Sequence, residues 1–137
     1  MTVCRFGPDR RITAATGGLA LIAAAASALA ADTGGRLLFA LAALVLLAYT
    51  VSDLVFWPRI VASTAAGLDI RSPLGSEHLE WHEVEAVRAD SRQRLGLRSV
   101  TLEIDTGTGL HVFGRRALGA DPESVAGLIR AVDPRRP

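Results

Sequence analysis

The chain has 137 residues, is 50% hydrophobic but only 5% aromatic, and carries a formal net charge of +1. That balance gives no large field for nucleic acid, and the single cysteine, Cys4, excludes an internal disulfide and any cysteine-based metal cluster. All 15 basic residues are arginine and alanine is abundant, the composition of a GC-rich bacterial genome.

Residues 1–11 form a short basic segment, with Arg5, Arg10 and Arg11 against Asp9. Its expected role is to serve membrane insertion, with Cys4 a free thiol near a frayed terminus. Residues 12–31 are then uncharged over about 20 positions, the span a transmembrane helix needs. Hydropathy there is modest, because only Ile12, Leu19, Leu21, Ile22 and Leu29 are strongly apolar. Such a helix needs a partner, and Ala23, Ser27 and Ala31 recur at a four-residue spacing that would make a smooth helix–helix seam. Asp32-Thr33-Gly34-Gly35-Arg36 reads as a tight polar turn. A competing reading is a secretory signal peptide, since Ala28-Leu29-Ala30 has the small-x-small pattern of a cleavage site; the apolar region exceeds the usual length of about 7 to 15 residues.

Residues 37–57 are a continuous apolar run that reaches roughly 30 Å as a helix, the thickness of the bilayer hydrocarbon. Its strongly apolar side chains supply roughly −4 to −7 kcal/mol of insertion free energy, against about +3 for a mid-membrane aspartate. Asp53 lies one turn from the end, so its cost is lower. Pro58 stops the helix, and Trp57 and Arg59 suit the headgroup boundary. Asp53 is read as an interfacial carboxylate satisfied by Tyr49, one turn away, or by Arg10 or Arg11, with a proton or ion path as the functional alternative. Three arginines precede the first helix and Arg59 and Arg71 follow the second, with Arg36 alone in the turn. The positive-inside rule therefore places both termini in the cytoplasm of a multi-pass inner (plasma) membrane protein.

From Ile60 the pattern changes to alternation, the mark of half-buried strands. Leu68 and Ile70 point one way, Leu79 and Trp81 face in with His78, Glu80 and His82 out, residues 84–90 form a further strand, and Val100, Leu102 and Ile104 alternate with polar neighbours. Thr106-Gly107-Thr108-Gly109 is a hairpin turn leading to Leu110-His111-Val112-Phe113. A C-terminal helix follows, capped by Asp121 and Pro122, with Val125, Leu128, Ile129 and Val132 on its apolar face. Arg135-Arg136-Pro137 reads as a frayed tail. The predicted class is α+β: a two-helix hairpin, then residues 59–137 as an antiparallel sheet of six to seven strands covered by one helix.

The segments GLDIRSPLGSEHLEWHEVEAV and RQRLGLRSVTLEIDTGTGLHVFG, centred on Trp81, Glu83, Val84 and Val87, resemble a bacterial pleckstrin-homology-like (PH) domain. Among such proteins the chain is similar to the low molecular weight protein antigen 6 group of actinobacteria, in which a short transmembrane hairpin precedes the domain. The resemblance implies a seven-stranded bent sheet capped by a helix, and a binding rather than catalytic role. The first hairpin turn of the domain, Ala65-Ala66-Gly67, carries none of the cations that phosphoinositide-binding relatives use there, which argues against inositol-lipid recognition in that style. A domain already tethered by helices also gains little from lipid-based targeting, which points towards a protein partner.

Arg88, Arg92, Arg94 and Arg98 flank one loop and Arg115 and Arg116 follow the next hairpin, which makes them the candidate surface for anionic headgroups or an acidic partner. Residues 59–137 nevertheless hold as many acidic side chains as arginines. His78, Glu80 and His82, with His111, are the residues a metal-dependent hydrolase would use, but the ligand pattern is weak. Gly107 and Gly109 are not a phosphate loop, because no lysine and no helix follow. The expectation is a binding module without catalysis, cofactor or metal. The alternative is a structural subunit of an envelope or transport assembly, with homo-oligomers formed through the helices.

Overall fold

The computed structural model describes residues 2–136. They divide into two compact units: residues up to Asp9 together with those from Trp57 onward, and Arg10–Phe56.

The second unit is a helical hairpin. Helix α1 spans Arg10–Leu29 and α2 spans Thr33–Val55, so both start earlier than the hydropathy alone predicts and the turn shrinks to residues 30–32. Asp32 causes this: it caps α2 by accepting from the Gly35 amide at 2.7 Å, as an aspartate at that position does. Both helices are long and apolar enough to cross a membrane. Their contact face is small and polar: Thr13 and Ala20 are buried on α1, and Gly17 brings the backbone so close to Thr50 that a Cβ there would stand 3.3 Å from its methyl group. Ser27 donates to the Arg36 carbonyl at 2.8 Å. The expected seam is thus corrected at one end, since Ala31 is exposed and lies outside the helix.

The first unit holds seven strands, each antiparallel to its neighbours. Strand β1 (Val3–Phe6) pairs with β2 (Ile60–Ser63), which pairs with β3 (Gly67–Ser72), which pairs with β4 (Gly75–Leu79). A second sheet runs in the order β5 (Ala86–Arg94), β6 (Leu97–Asp105), β7 (Leu110–Gly114). Two helices close the chain, the single turn α3 (Arg115–Leu118) and α4 (Pro122–Val132). Alternation works as it should: Ile60, Leu68, Leu102 and Ile104 are wholly buried, each contributing about 1.5–3 kcal/mol. Helix α4 is capped by Asp121, which accepts from the Ser124 amide at 3.2 Å, and covers the core with Val125, Ala126, Ile129 and Val132. Leu128 is half exposed, and Ala126 takes the place expected for it.

The main departure is the N-terminus. The segment 1–11, of which Met1 lies outside the described residues, is expected from the sequence to be only basic, yet its residues 3–6 supply an edge strand: Val3 pairs with Ser63 and Phe6 with Ile60. Cys4 and Phe6 pack against the core, so the terminus is not frayed and the thiol is partly buried. The helical hairpin is therefore inserted between two paired strands of one sheet. Strand β4 also ends earlier than the alternation predicts. Trp81–Glu83 forms a 3-10 turn in which Glu80 and Glu83 cap each other, the Glu80 amide donating to Glu83 at 2.8 Å. Trp81 stays buried and donates its indole N–H to the Ser63 carbonyl at 2.9 Å.

Candidate binding surface

Strands β5 and β6 are nine residues each, while β7 has five and covers only Thr101–Asp105 of its neighbour. Residues 91–100 consequently project past the sheet as a two-stranded arm, exposed from Ser91 to Ser99. At its tip Leu95 and Gly96 both take positive φ, 50° and 79°, the twist that a two-residue hairpin turn needs. Glycine adopts this freely, whereas a leucine there is strained by about 1–2 kcal/mol. Leu95 is nonetheless fully exposed at 103%, and Leu97 beside it is 76% exposed. Two leucines in water on a strained turn contribute nothing to the domain's own core.

Strand register separates the predicted arginines into two faces. Arg88, Arg92 and Arg94 lie on the face of Glu103, because Arg88 is opposite Glu103, Arg92 opposite Ser99 and Arg94 opposite Leu97. Arg98 faces the other way, donating to Ser91 at 2.9 Å and pairing with Glu123 of α4 at 3.5 Å. Three of the four are already committed to acids of the same chain. The buried Glu103 takes Arg88 at 3.2 Å and reaches Arg92 at 3.9 Å, while Asp90 holds Arg92 at 2.7 Å. The hydrogen bond to Asp90, with the charges of Asp90 and Glu103, raises the Arg92 pKa further above its ordinary value. Among the described residues Arg94 makes no ion pair. Arg115 and Arg116 follow directly on Gly114, which pairs with Thr101 at the root of the arm.

The histidines do not converge. His78 is hydrogen-bonded to Asp69 across the β3–β4 ladder, which raises its pKa; His82 pairs with Glu80 at 3.1 Å and His111 with Glu77 at 3.0 Å. The 3-10 turn at Trp81 takes His82 off the strand face that was to carry all three ligands. Among the described residues no group of three or more His, Cys, Asp or Glu is placed to hold a metal. In the hairpin, Asp53 is 3% exposed and accepts from the Thr13 hydroxyl at 3.4 Å, a partner that hydropathy did not single out. Of the expected frayed tail, Pro137 lies outside the described residues and Arg135 is tied down: its guanidinium donates twice to Asp133, at 3.0 and 2.9 Å, and to the Val84 carbonyl at 2.9 Å.

A family model described as Bacterial PH domain matches residues 57–134. The match begins after the helical hairpin, so the strand contributed by residues 3–6 lies outside it. No curated protein and no solved structure matches the chain. Antiparallel sheets of four and three strands with a C-terminal helix are consistent with an α+β PH-like fold, and PH domains are in general binding modules without catalysis. More than half of the chain falls within that match, and the chain belongs to the bacterial PH domain family.

Proposed function

We propose that the protein is a membrane-anchored adaptor: the helical hairpin crosses the bacterial plasma membrane twice, and the PH-like domain at its cytoplasmic face captures a protein partner through the β5–β6 arm. The strained, wholly exposed Leu95 at the arm tip carries this reading. An exposed apolar tip with one uncommitted cation, Arg94, fits an apolar pocket with an acidic rim. Headgroup capture by the arm is the weaker reading, because Glu103, Asp90 and Glu123 already neutralise Arg88, Arg92 and Arg98.

Anchoring is supported by the outward faces of α1 and α2. Leu21, Leu29, Leu37, Leu44 and Leu54 are all more than 60% exposed, which water would penalise and lipid would not. The arginine distribution, with Arg5, Arg10, Arg11, Arg59 and Arg71 at the domain end of the helices and Arg36 alone near their turn, supports a cytoplasmic domain.

The test is co-purification in mild detergent of proteins bound to full-length wild type, to Leu95→Asp/Arg94→Glu, and to Ala65→Asp as a control on a distant turn. The adaptor reading expects proteins retained by wild type and control to be lost from the arm variant. An unchanged set overturns the arm as the binding element.

A further inference from the structure

We propose that the β3–β4 turn is a second contact with the bilayer, in which Leu74 enters the headgroup boundary of an anionic membrane at the end of the sheet where the chain leaves for the hairpin and returns. The inference rests on reading α1 and α2 as membrane-spanning. It does not depend on the arm.

Register fixes the end at which this turn lies. Strand β1 runs towards the hairpin and β2 runs out of it, so the level of Phe6 and Ile60, which pair, is the tethered end of the sheet. The two connections lie side by side there: Trp57 packs so closely on Gly7 that a Cβ on the glycine would stand 2.6 Å from the indole. Ile70 pairs with Ile60, and β3 continues past it through Arg71 to Ser72 before the chain turns at residues 73 and 74. At about 3.4 Å per residue the turn begins roughly 7 Å beyond the Ile60 level. The β2–β3 turn, at residues 64–66, is at the opposite end.

The chemistry of the two ends differs in the sense a bilayer requires. Leu74 is 100% exposed, in a turn where water would favour a polar residue. It shares the lining of a cleft of about 530 Å³ with Leu110 and Val112, each about half exposed, and with the paired His111 and Glu77. Arg71 is exposed and, among the described residues, makes no ion pair, which suits it to anionic headgroups. The opposite turn offers only Thr64, Ala65 and Ala66, with neither a large apolar side chain nor a cation.

An environment-sensitive fluorophore reads this directly. It is placed in full-length Cys4→Ala protein at Leu74→Cys, at Ala65→Cys, and at Leu44→Cys in α2, and each protein is reconstituted into phosphatidylcholine–phosphatidylglycerol vesicles. The expected result is a blue-shifted probe at residue 74 that lipid-borne nitroxides quench several-fold more than the probe at residue 65. A probe at 74 as wet as that at 65, with the probe at 44 in lipid, overturns the wedge and leaves the hairpin standing. Probes at both 44 and 74 in water overturn both readings. A blue shift at 74 without nitroxide quenching places the probe in the protein's own cleft or against a second copy and also overturns the wedge.

Discussion

At the scale of single residues, Asp133 shows how a short-range ion pair closes the fold. Its carboxylate is buried and held below the usual pKa first by the hydrogen bond from Arg135, which in turn donates to the Val84 carbonyl and fastens the chain after α4 to the start of the second sheet. A carboxyl with a depressed folded pKa contributes stability that is present above its unfolded pKa of about 3.9 and lost as the pH falls through the folded value. Asp133→Asn should therefore lower stability at neutral pH by about 1 kcal/mol, with the deficit shrinking in acid. Chemical denaturation of wild type and variant at pH 7 and near pH 3 checks this; an equal deficit at both would mean that the charge is irrelevant. The same residue scale shows what sequence hides. That Arg88, Arg92, Arg94 and Arg98 are close in the chain was plain, but whether each is free depends on which acid stands opposite. Only the pairing of Arg88 with Glu103 and the packing of Glu123 against Arg98 decide that. Leu95, the residue on which the proposed function turns, gave no periodic signal at all, since its distinction is a positive φ.

At the scale of elements, legibility follows range. The β6–β7 hairpin and α4 were readable because their signals are local: alternation from Val100 to Ile104, the Thr106–Gly109 turn, and Asp121-Pro122 at a helix start. The 3-10 turn at Trp81 had a local signal too, in the three-residue spacing of Glu80 and Glu83 that a capping box requires, but the alternation of Leu79 and Trp81 masked it. Strand β1 had none. Four residues, Val-Cys-Arg-Phe, cannot declare themselves when their partner strand lies beyond an entire helical hairpin. Its contribution is nevertheless large, because Cys4 and Phe6 cover the side of the core next to Ile60 and Ala62, both wholly buried. Deleting residues 2–6 from the full-length protein should cost about 2–5 kcal/mol, the range for truncating large core side chains, and expose the edge of β2. A lower denaturation midpoint followed by tryptophan fluorescence is the expected result; an unchanged midpoint would show β1 to be dispensable. A fragment starting at Trp57 lacks this strand and is a poor stand-in for the domain in binding work.

For the whole molecule, the consequence of threading a hairpin between two paired strands is a restriction on how the chain can be made. Strands β1 and β2 pair over four residues, so residues 3–6 and residues 60–63 must end on the same side of any membrane the hairpin enters, which an even number of crossings satisfies. A signal peptide cleaved after Ala30 would remove α1 and with it the strand that shields Ile60 and Ala62. The signal reading and the assembled sheet are therefore incompatible, and a membrane form that retains residues 3–6 is the expectation. Intact-mass measurement of membrane-extracted protein tests this, with a mass lacking the residues up to Ala30 counting against it. Side and pairing can be separated in one experiment on intact cells. In a Cys4→Ala background, single cysteines at Thr2 and at Ser91 should both resist a membrane-impermeant maleimide until the cells are opened. If both react from outside, the cytoplasmic assignment is wrong and the pairing survives; if only one reacts, β1 and β2 cannot be neighbours in the assembled protein.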